Sequence, residues 1–315
     1  MSKTKAWISA MRLRTLPLSF SVIIVGNALA YTHSVYPECS GLYWEFNWKL
    51  FGLTLLTTLL LQILSNFAND YGDSKKGADN ADRIGPERAV QSGVLSSKDM
   101  LKGMIITSLL SLISGLYLIY FAFGGFNKFF FSFLLLGVFS IIGAIMYTVG
   151  KKAYGYLGLG DVFVFIFFGL LGVHGSYFLH YQEIYIPAII FSVIMGCFCT
   201  AVLNLNNMRD QVNDKKVGKM TLAVRLGFKG AKIYHYILFL IAWFPILLML
   251  LPSIERNWLT ALLFLPVLVI HALHIRKVIK VSDPKDFDPE LKKIALSSFL
   301  FSILFFLSIY LDAIY

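Results

Sequence analysis

Apolar and polar positions fall in long blocks along this chain. Runs of about 20 apolar residues lie near 16–32, 48–68, 101–123, 128–148, 161–181, 186–206, 231–251, 258–278 and 295–315. A helix rises about 1.5 Å per residue, so each run spans the roughly 30 Å hydrocarbon core of a bilayer. The pattern predicts an all-α, polytopic membrane protein with nine transmembrane helices. No Pro-, Gly- or Ser-rich linker divides the chain, so residues 1–315 read as one intramembrane domain. Lys3, Lys5, Arg12 and Arg14 precede the first run, and Ala28-Leu29-Ala30 within it resembles a signal cleavage site. Pro17 sits early in that run and eight more spans follow, which favours a retained first helix.

Composition sharpens this reading. Hydrophobic residues make up 57% of the 315, more than a soluble protein of this size can hide. The formal net charge is +10, which by itself would suggest a nucleic-acid partner. Placement of the charge argues otherwise. Of the 28 Lys and Arg, 25 lie at the N-terminus or in the loops after the second, fourth, sixth and eighth spans, and only Lys49, Lys128 and Arg256 fall on the other side. The positive-inside rule therefore puts the N-terminus in the cytosol and the C-terminus outside, and explains the charge without nucleic acid. The two long loops, about 69–100 and 207–230, share the cytosolic side. Cys39, Cys197 and Cys199 form no disulfide framework and no metal signature. Cys197 and Cys199, two apart on a helix, point to different faces. His174, His180, His271 and His274 show no spacing that joins one histidine to another and to a carboxylate, so core or interfacial roles are expected.

Two polar stretches interrupt the apolar pattern and match each other. Asn66-Phe-Ala-Asn69-Asp70-Tyr-Gly-Asp73-Ser-Lys75-Lys76 ends the second span, and Asn206-Asn207-Met-Arg209-Asp210-Gln-Val-Asn213-Asp214-Lys215-Lys216 ends the sixth. An offset of 140 residues lays Asn66, Asp70, Lys75 and Lys76 on Asn206, Asp210, Lys215 and Lys216. On an ideal helix, Asn66, Asn69, Asp70 and Asp73 fit in an arc of about 100°, and so do Asn206, Asn207, Asp210 and Asp214. Each helix end thus presents one face of hard oxygen ligands. A carboxylate at the bilayer centre costs about 2.5–3.5 kcal/mol, so several near its edge need a reason. Hard oxygens suit Mg²⁺, which takes one or two carboxylates and completes its shell with substrate phosphates. The offset spans four helices, so the two motif helices run parallel and a pseudo-twofold arrangement brings their acidic faces to one cavity. Candidate metal ligands are Asn66, Asn69, Asp70, Asp73, Asn206, Asp210 and Asp214. Lys76, Arg83, Arg88, Arg209 and Lys219 are candidate phosphate-binding cations. Tyr147 and Lys151 stand one turn apart at the end of the fourth span on the same side, and Asp161 opens the fifth span there.

These residues carry a resemblance. Gln62-Ile-Leu-Ser-Asn66-Phe-Ala-Asn69-Asp70-Tyr-Gly-Asp73, continuing through Gly77-Ala-Asp79 and Asp82-Arg83-Ile-Gly-Pro86-Glu-Arg88-Ala-Val-Gln91-Ser-Gly93, resembles the 1,4-dihydroxy-2-naphthoate polyprenyltransferases of menaquinone synthesis, a branch of the intramembrane aromatic prenyltransferase superfamily. So do Tyr147-Thr148, Gly158-Leu-Gly160-Asp161 and the run from Asn206 through Gly218-Lys219 to Thr221-Leu-Ala-Val-Arg225-Leu-Gly227. The likeness extends from Arg12-Leu-Arg14-Thr-Leu-Pro17 to the seventh span and is only compositional beyond. The superfamily's first motif often carries another Asp four residues after the last one. Here that place is Gly77, and Asp79 follows two later.

The resemblance implies nine helices around a central cavity open sideways to lipid, Mg²⁺ dependence, and a polyprenyl diphosphate and dihydroxynaphthoate as substrates. Asp70, Asp73, Asp210, Asp214, Tyr147 and Lys151 are then the catalytic set. A cation among Arg14, Arg83 and Lys151 is expected to seat the acceptor carboxylate. Loss of that carboxylate as CO₂ gives demethylmenaquinone. An apolar cavity would protect the allylic cation from water, and aromatic faces would steady it. The location implied is the cell (inner or plasma) membrane. Other acceptors, 4-hydroxybenzoate or haem among them, are the alternatives within the superfamily. A secondary transporter is the rival class, but it would hold its ligand near the midplane on broken helices.

Overall fold

The computed structural model describes residues 2–36, 45–80, 83–256 and 258–312. Cys39 and Asp82 lie outside the described residues, and so does the side chain of Arg14. Among the described residues every regular element is helical. A short α1 (Lys3–Met11) precedes α2 (Leu16–Val35), α3 (Trp48–Lys75), α4 (Ser97–Phe123) and α5 (Lys128–Met146). Next comes one span built in three pieces: α6 (Gly160–Val164), a wider π-helical stretch (Phe165–Gly175) and α7 (Ser176–Tyr181). The chain ends with α8 (Ile186–Lys216), α9 (Leu222–Arg256), α10 (Trp258–Leu263), α11 (Leu265–Lys280) and α12 (Phe287–Asp312). Nine helices among the described residues are long and apolar enough to cross a membrane.

Burial sorts these helices. The apolar windows of α2 and α8 are 72% and 67% buried, whereas that of α5 is 11% buried. So α2 and α8 form the middle of the bundle and α5 presents its side chains to lipid. Around them α8 packs on α9 and the π-helical stretch, α12 on α2, and α3 on α4. The main core joins α2, α8, α9, α11 and α12, while a separate one joins α1, α3 and the loop around Leu95.

Several boundaries differ from those read off the apolar runs. The second and sixth spans were expected to end near 68 and 206, but α3 and α8 continue to Lys75 and Lys216. Gly72 stays helical within the first tail, and the two helices stop only at Gly77 and Gly218, which take left-handed φ values of 72° and 73°. Only glycine does so without strain. Both ends then close alike: the N–H of Ala78 returns to the carbonyl of Asp73 at 3.0 Å, and that of Lys219 to Asp214 at 2.8 Å. The seventh span starts earlier than expected because Leu222–Leu226 form a first helical segment before a kink at Gly227. The ninth begins near Pro284 rather than 295.

Two histidine-bearing helices, α9 and α11, converge with α12 in a way the spacing did not anticipate. Nε2 of His235 (α9) lies 2.8 Å from Nε2 of His274 (α11). Nδ1 of His274 lies 2.5 Å from Oε2 of Glu290 (α12), whose other oxygen accepts from Lys293 at 2.7 Å. Trp243 donates to His271 at 3.0 Å, and His271 meets Ser297 at 2.8 Å. Spacing in sequence did not show this meeting, because residues 16 to 55 apart are joined by helix packing; His271 and His274, for which core or interfacial roles were expected, are both buried. Buried polar groups of this kind hold only when all partners are present. Replacing Glu290 with Ala leaves buried His274 without its acceptor, while Lys293 stays solvated, and is expected to cost about 1–3 kcal/mol. A clear drop in the thermal unfolding temperature in detergent, smaller for Glu290→Gln, is the expected result; an unchanged temperature refutes it.

Candidate active site

The polar ends of α3 and α8 face each other. Lys219, just past α8, places its ammonium 3.9 Å from an oxygen of Asp73 and 3.8 Å from one of Asp214. Asn213 of α8 donates to the carbonyl of Ala78 beyond α3 at 2.9 Å. The two acidic helix ends therefore meet across one cation. Between them lies a small polar cleft lined by Asp73, Asp79, Arg83, Arg88, Asp210, Asn213, Asp214 and Lys219. Against it opens a larger, mostly apolar cavity of about 390 Å³ that runs between α2, α3, α4, α5 and the π-helical stretch. Asp73, Arg88, Asn206 and Lys219 line both spaces and so mark their junction.

Each motif carries its own counter-ion. Arg88, in the loop after α3, donates to Asp73 and to the carbonyl of Asn69, both at 2.7 Å, and its Nε stands 3.1 Å from Asp79 and 3.6 Å from Asp70. These three carboxylates hold the Arg88 guanidinium even more firmly protonated than usual. Arg209 donates to both oxygens of Asp210 at 3.0 and 2.7 Å, to Asn206 at 2.8 Å and to Asp288 of α12 at 2.5 Å. Arg209 is 1% exposed. It was expected to meet substrate, but its donors instead hold the second motif in place and tie it to α12. Asn66 and Asn206, expected as metal ligands, also have their amide oxygens engaged, Asn66 by Gln62 and Asn206 by Arg209. Asp70 lines neither space: Oδ2 accepts the N–H of Ala89 at 3.3 Å, and the carboxylate sits behind Arg88.

Other residues enter that the motif spacing did not select. Asp79 stands where the sequence departs from the superfamily pattern. The left-handed turn at Gly77 swings it into the cleft, where its side chain is 1% exposed. Burial raises its carboxyl to about 6 against the pull of Arg88. Tyr156 donates to Oδ1 of Asp73 at 2.8 Å, and its ring lies under Lys76 at 3.9 Å and Lys219 at 5.4 Å. Burial, Asp73 and that hydrogen bond push the Tyr156 phenol well up, so it stays protonated. No sequence signal marked Tyr156, because its position depends on the turn that follows α5.

That turn also separates the pair expected at 147 and 151. Thr148 donates to the carbonyl of Ala68 at 2.8 Å, and a Cβ on Gly72 would meet the Thr148 hydroxyl at 2.5 Å. Glycine at 72 thus lets the end of α5 dock on α3 next to Asp73. Tyr147 turns into the cavity and packs edge-on against Tyr154. Burial and the charge of Asp161 raise its phenol. Gly150 then reverses the chain with φ 97°, and Lys151 is left exposed, lining neither space.

Several buried oxygens lack a hydrogen-bond partner: Oδ1 of Asn69, both oxygens of Asp79, Oδ1 of Asn213 and Oδ2 of Asp214. Unsatisfied buried acceptors are rare and costly. Among the described residues no three His, Cys, Asp or Glu form a ready-made metal centre. The donor set is one of hard oxygens spread across a cleft, the chemistry of a cation shared with a ligand's own oxygens.

The UbiA prenyltransferase family is matched over residues 39–308. The chain belongs to this family. As a UbiA-family member it is a prenyltransferase and a multi-pass membrane protein. It is 43% identical over 314 residues to the 1,4-dihydroxy-2-naphthoate octaprenyltransferase of Escherichia coli (strain K12), covering 99% of this chain and 97% of that protein. It is 42% identical over 307 residues to the protein of that name from Haemophilus influenzae, covering 98% and 96%. The UbiA homologue from Aeropyrum pernix K1, solved in its apo form, superposes with a TM-score of 0.59 over 96% of this chain and 98% of that one at 16% identity, a likeness of fold.

Proposed function

We propose that this UbiA-family protein transfers a polyprenyl group from its diphosphate to 1,4-dihydroxy-2-naphthoate, with Mg²⁺ and with loss of CO₂. The observation that carries the proposal is the meeting of two acidic helix ends across Lys219, at the mouth of an apolar cavity. The two relatives at 42% and 43% identity, both 1,4-dihydroxy-2-naphthoate octaprenyltransferases, support the acceptor.

Asp73, Asp79, Asp210 and Asp214, with Asn69 and Asn213, are the residues that would hold Mg²⁺. When bound, the metal neutralises the diphosphate and eases its departure. Arg83, Arg88 and Lys219 bring positive charge to the same cleft and stabilise the leaving diphosphate. Tyr156 holds Asp73 in register by its hydrogen bond. The apolar walls, with the Tyr147 and Phe163 rings among them, exclude water from the allylic carbon and offer it π faces. The electron count closes within the two substrates. The C–O bond of the prenyl diphosphate breaks and its pair leaves with the diphosphate. The ring carbon bearing the carboxylate supplies the pair for the new C–C bond. The bond to the carboxylate then breaks, returning its pair to the ring as CO₂ departs. The immediate product is the hydroquinone, which a separate oxidant converts to demethylmenaquinone.

The domain, on this reading, is the whole of residues 1–315, set in the cell (inner or plasma) membrane with the N-terminus and the cleft on the cytosolic side. One assay tests the reaction. Purified protein receives labelled prenyl diphosphate, Mg²⁺ and either carboxyl-labelled dihydroxynaphthoate or 4-hydroxybenzoate. Labelled CO₂ is expected in a one-to-one ratio with prenylated naphthoate, lost on chelation and restored by Mg²⁺. Prenylation of another acceptor without CO₂ release from the naphthoate overturns the proposal.

A further inference from the structure

Arg12 carries a guanidinium that the cleft does not use. It joins α1 to the turn before α2 in a left-handed conformation, φ 51° and ψ 56°, which non-glycine residues rarely adopt. Strained backbone of this kind persists only where surrounding contacts enforce it. Those contacts are specific. Asn66 donates to the carbonyl of Met11 at 2.9 Å, Gln62 donates to Asn66 at 3.2 Å, and Ser19 donates to Gln62 at 2.6 Å. Thr15 donates to the carbonyl of Arg12 at 2.9 Å. A relay from α2 through α3 thus fixes the turn, and the turn points Arg12 into the large cavity.

The guanidinium is poorly matched where it lies. Its Nη2 is inaccessible to solvent and has no hydrogen-bond partner. Among the described residues the carboxylate within 4 Å of it is that of Asp70, whose Oδ1 stands 3.6 Å from Arg12 and also 3.6 Å from Arg88. Two arginines share that oxygen, and neither is within hydrogen-bonding reach. Arg12 lines the large cavity but not the small polar cleft, whose cations are Arg83, Arg88 and Lys219. An anion met by Arg12 therefore lies in the large cavity, outside the small polar cleft.

We propose that Arg12, held by Asn66, seats the carboxylate of the aromatic acceptor. This rests on the naphthoate reading above and replaces Arg14, Arg83 and Lys151 as the expected seat. Arg12 presents a planar fork suited to a carboxylate, and Asn66 is a positioning residue that acts through the Met11 carbonyl.

Binding without turnover provides the test. The full-length protein in detergent, without prenyl diphosphate, is titrated with 1-hydroxy-2-naphthoate and with 1-naphthol, which lacks the carboxylate. In Arg12→Gln, naphthoate binding is expected to weaken at least about 10-fold while naphthol binding stays within about twofold, the signature of one lost charge-assisted pair. The KM for prenyl diphosphate should not move. Arg12→Lys keeps the charge without the fork and should lose part of the preference, so it reads the same ratio if Arg12→Gln does not fold. Asn66→Ala should lower the same ratio. Equal weakening of both ligands, or a rise confined to the KM for prenyl diphosphate, overturns the assignment. If wild-type protein releases no CO₂ from dihydroxynaphthoate, the proposed function fails. If it does, and Arg12→Gln keeps the wild-type preference for naphthoate, only the role of Arg12 fails.

Discussion

Asp73→Asn is expected to lower kcat at least about 100-fold, the scale of removing one preorganised charge stabiliser. Among the described residues Asp73 is the one carboxylate that lines both the polar cleft and the apolar cavity. Its two oxygens face three donors: Tyr156 at 2.8 Å, Arg88 at 2.7 Å and Lys219 at 3.9 Å. The Asn side chain has the same shape, so packing is kept while the charge is lost. The amide also turns a donor toward Arg88 or Tyr156, which disturbs the alignment of both. The protein should still insert, and its unfolding temperature should change little beside the loss of rate. Single-turnover rates measured across a Mg²⁺ titration check this. A variant that matches the wild type at limiting Mg²⁺ would remove Asp73 from the site.

Lys219→Met should reduce kcat/KM for prenyl diphosphate by about 100-fold, because it removes a cation from a buried site and leaves like charges facing each other. Lys219 is 7% exposed, and its ammonium touches both acidic helix ends. Methionine keeps most of the stem. Without the ammonium, Asp73 and Asp214 repel, and the diphosphate loses a partner. More Mg²⁺ should be needed for half-maximal rate, and Lys219→Arg should recover part of the loss. Lys151→Met is the matched comparison. Lys151 is exposed and lines neither space, so its loss should leave kcat/KM within about twofold. Equal losses in the two variants would mean that bulk positive charge, not the position of Lys219, serves the reaction.

The helices were legible because bilayer thickness imposes one length on every span, and hydrophobic runs record it directly. The facing of the two acidic helices was also legible, since the repeat at a fixed offset and the 3.6-residue period together place Asp73 and Asp214 on inward faces. Their ends were not, because a polar tail can stay helical until a residue able to take positive φ stops it, as Gly77 and Gly218 do. That extension moved the turn after α3 by about two helical turns and carried Asp79 into the cleft.

Side-chain partners divide in the same way. The sequence alone determined which residue types gather at the polar end of the bundle and that several basic groups must neutralise them. It could not say which base meets which acid. Arg209 turned back onto Asp210 and Asn206, Arg88 reached Asp73 across 15 residues, and Tyr156 reached it across 83. Arg12 and the His235–His274–Glu290 group were equally hidden. Such pairings depend on how helices pack and on loop conformation, which no local periodicity encodes. Membrane spans follow from the solvent that surrounds them, whereas contacts between distant residues exist only once the chain has closed on itself.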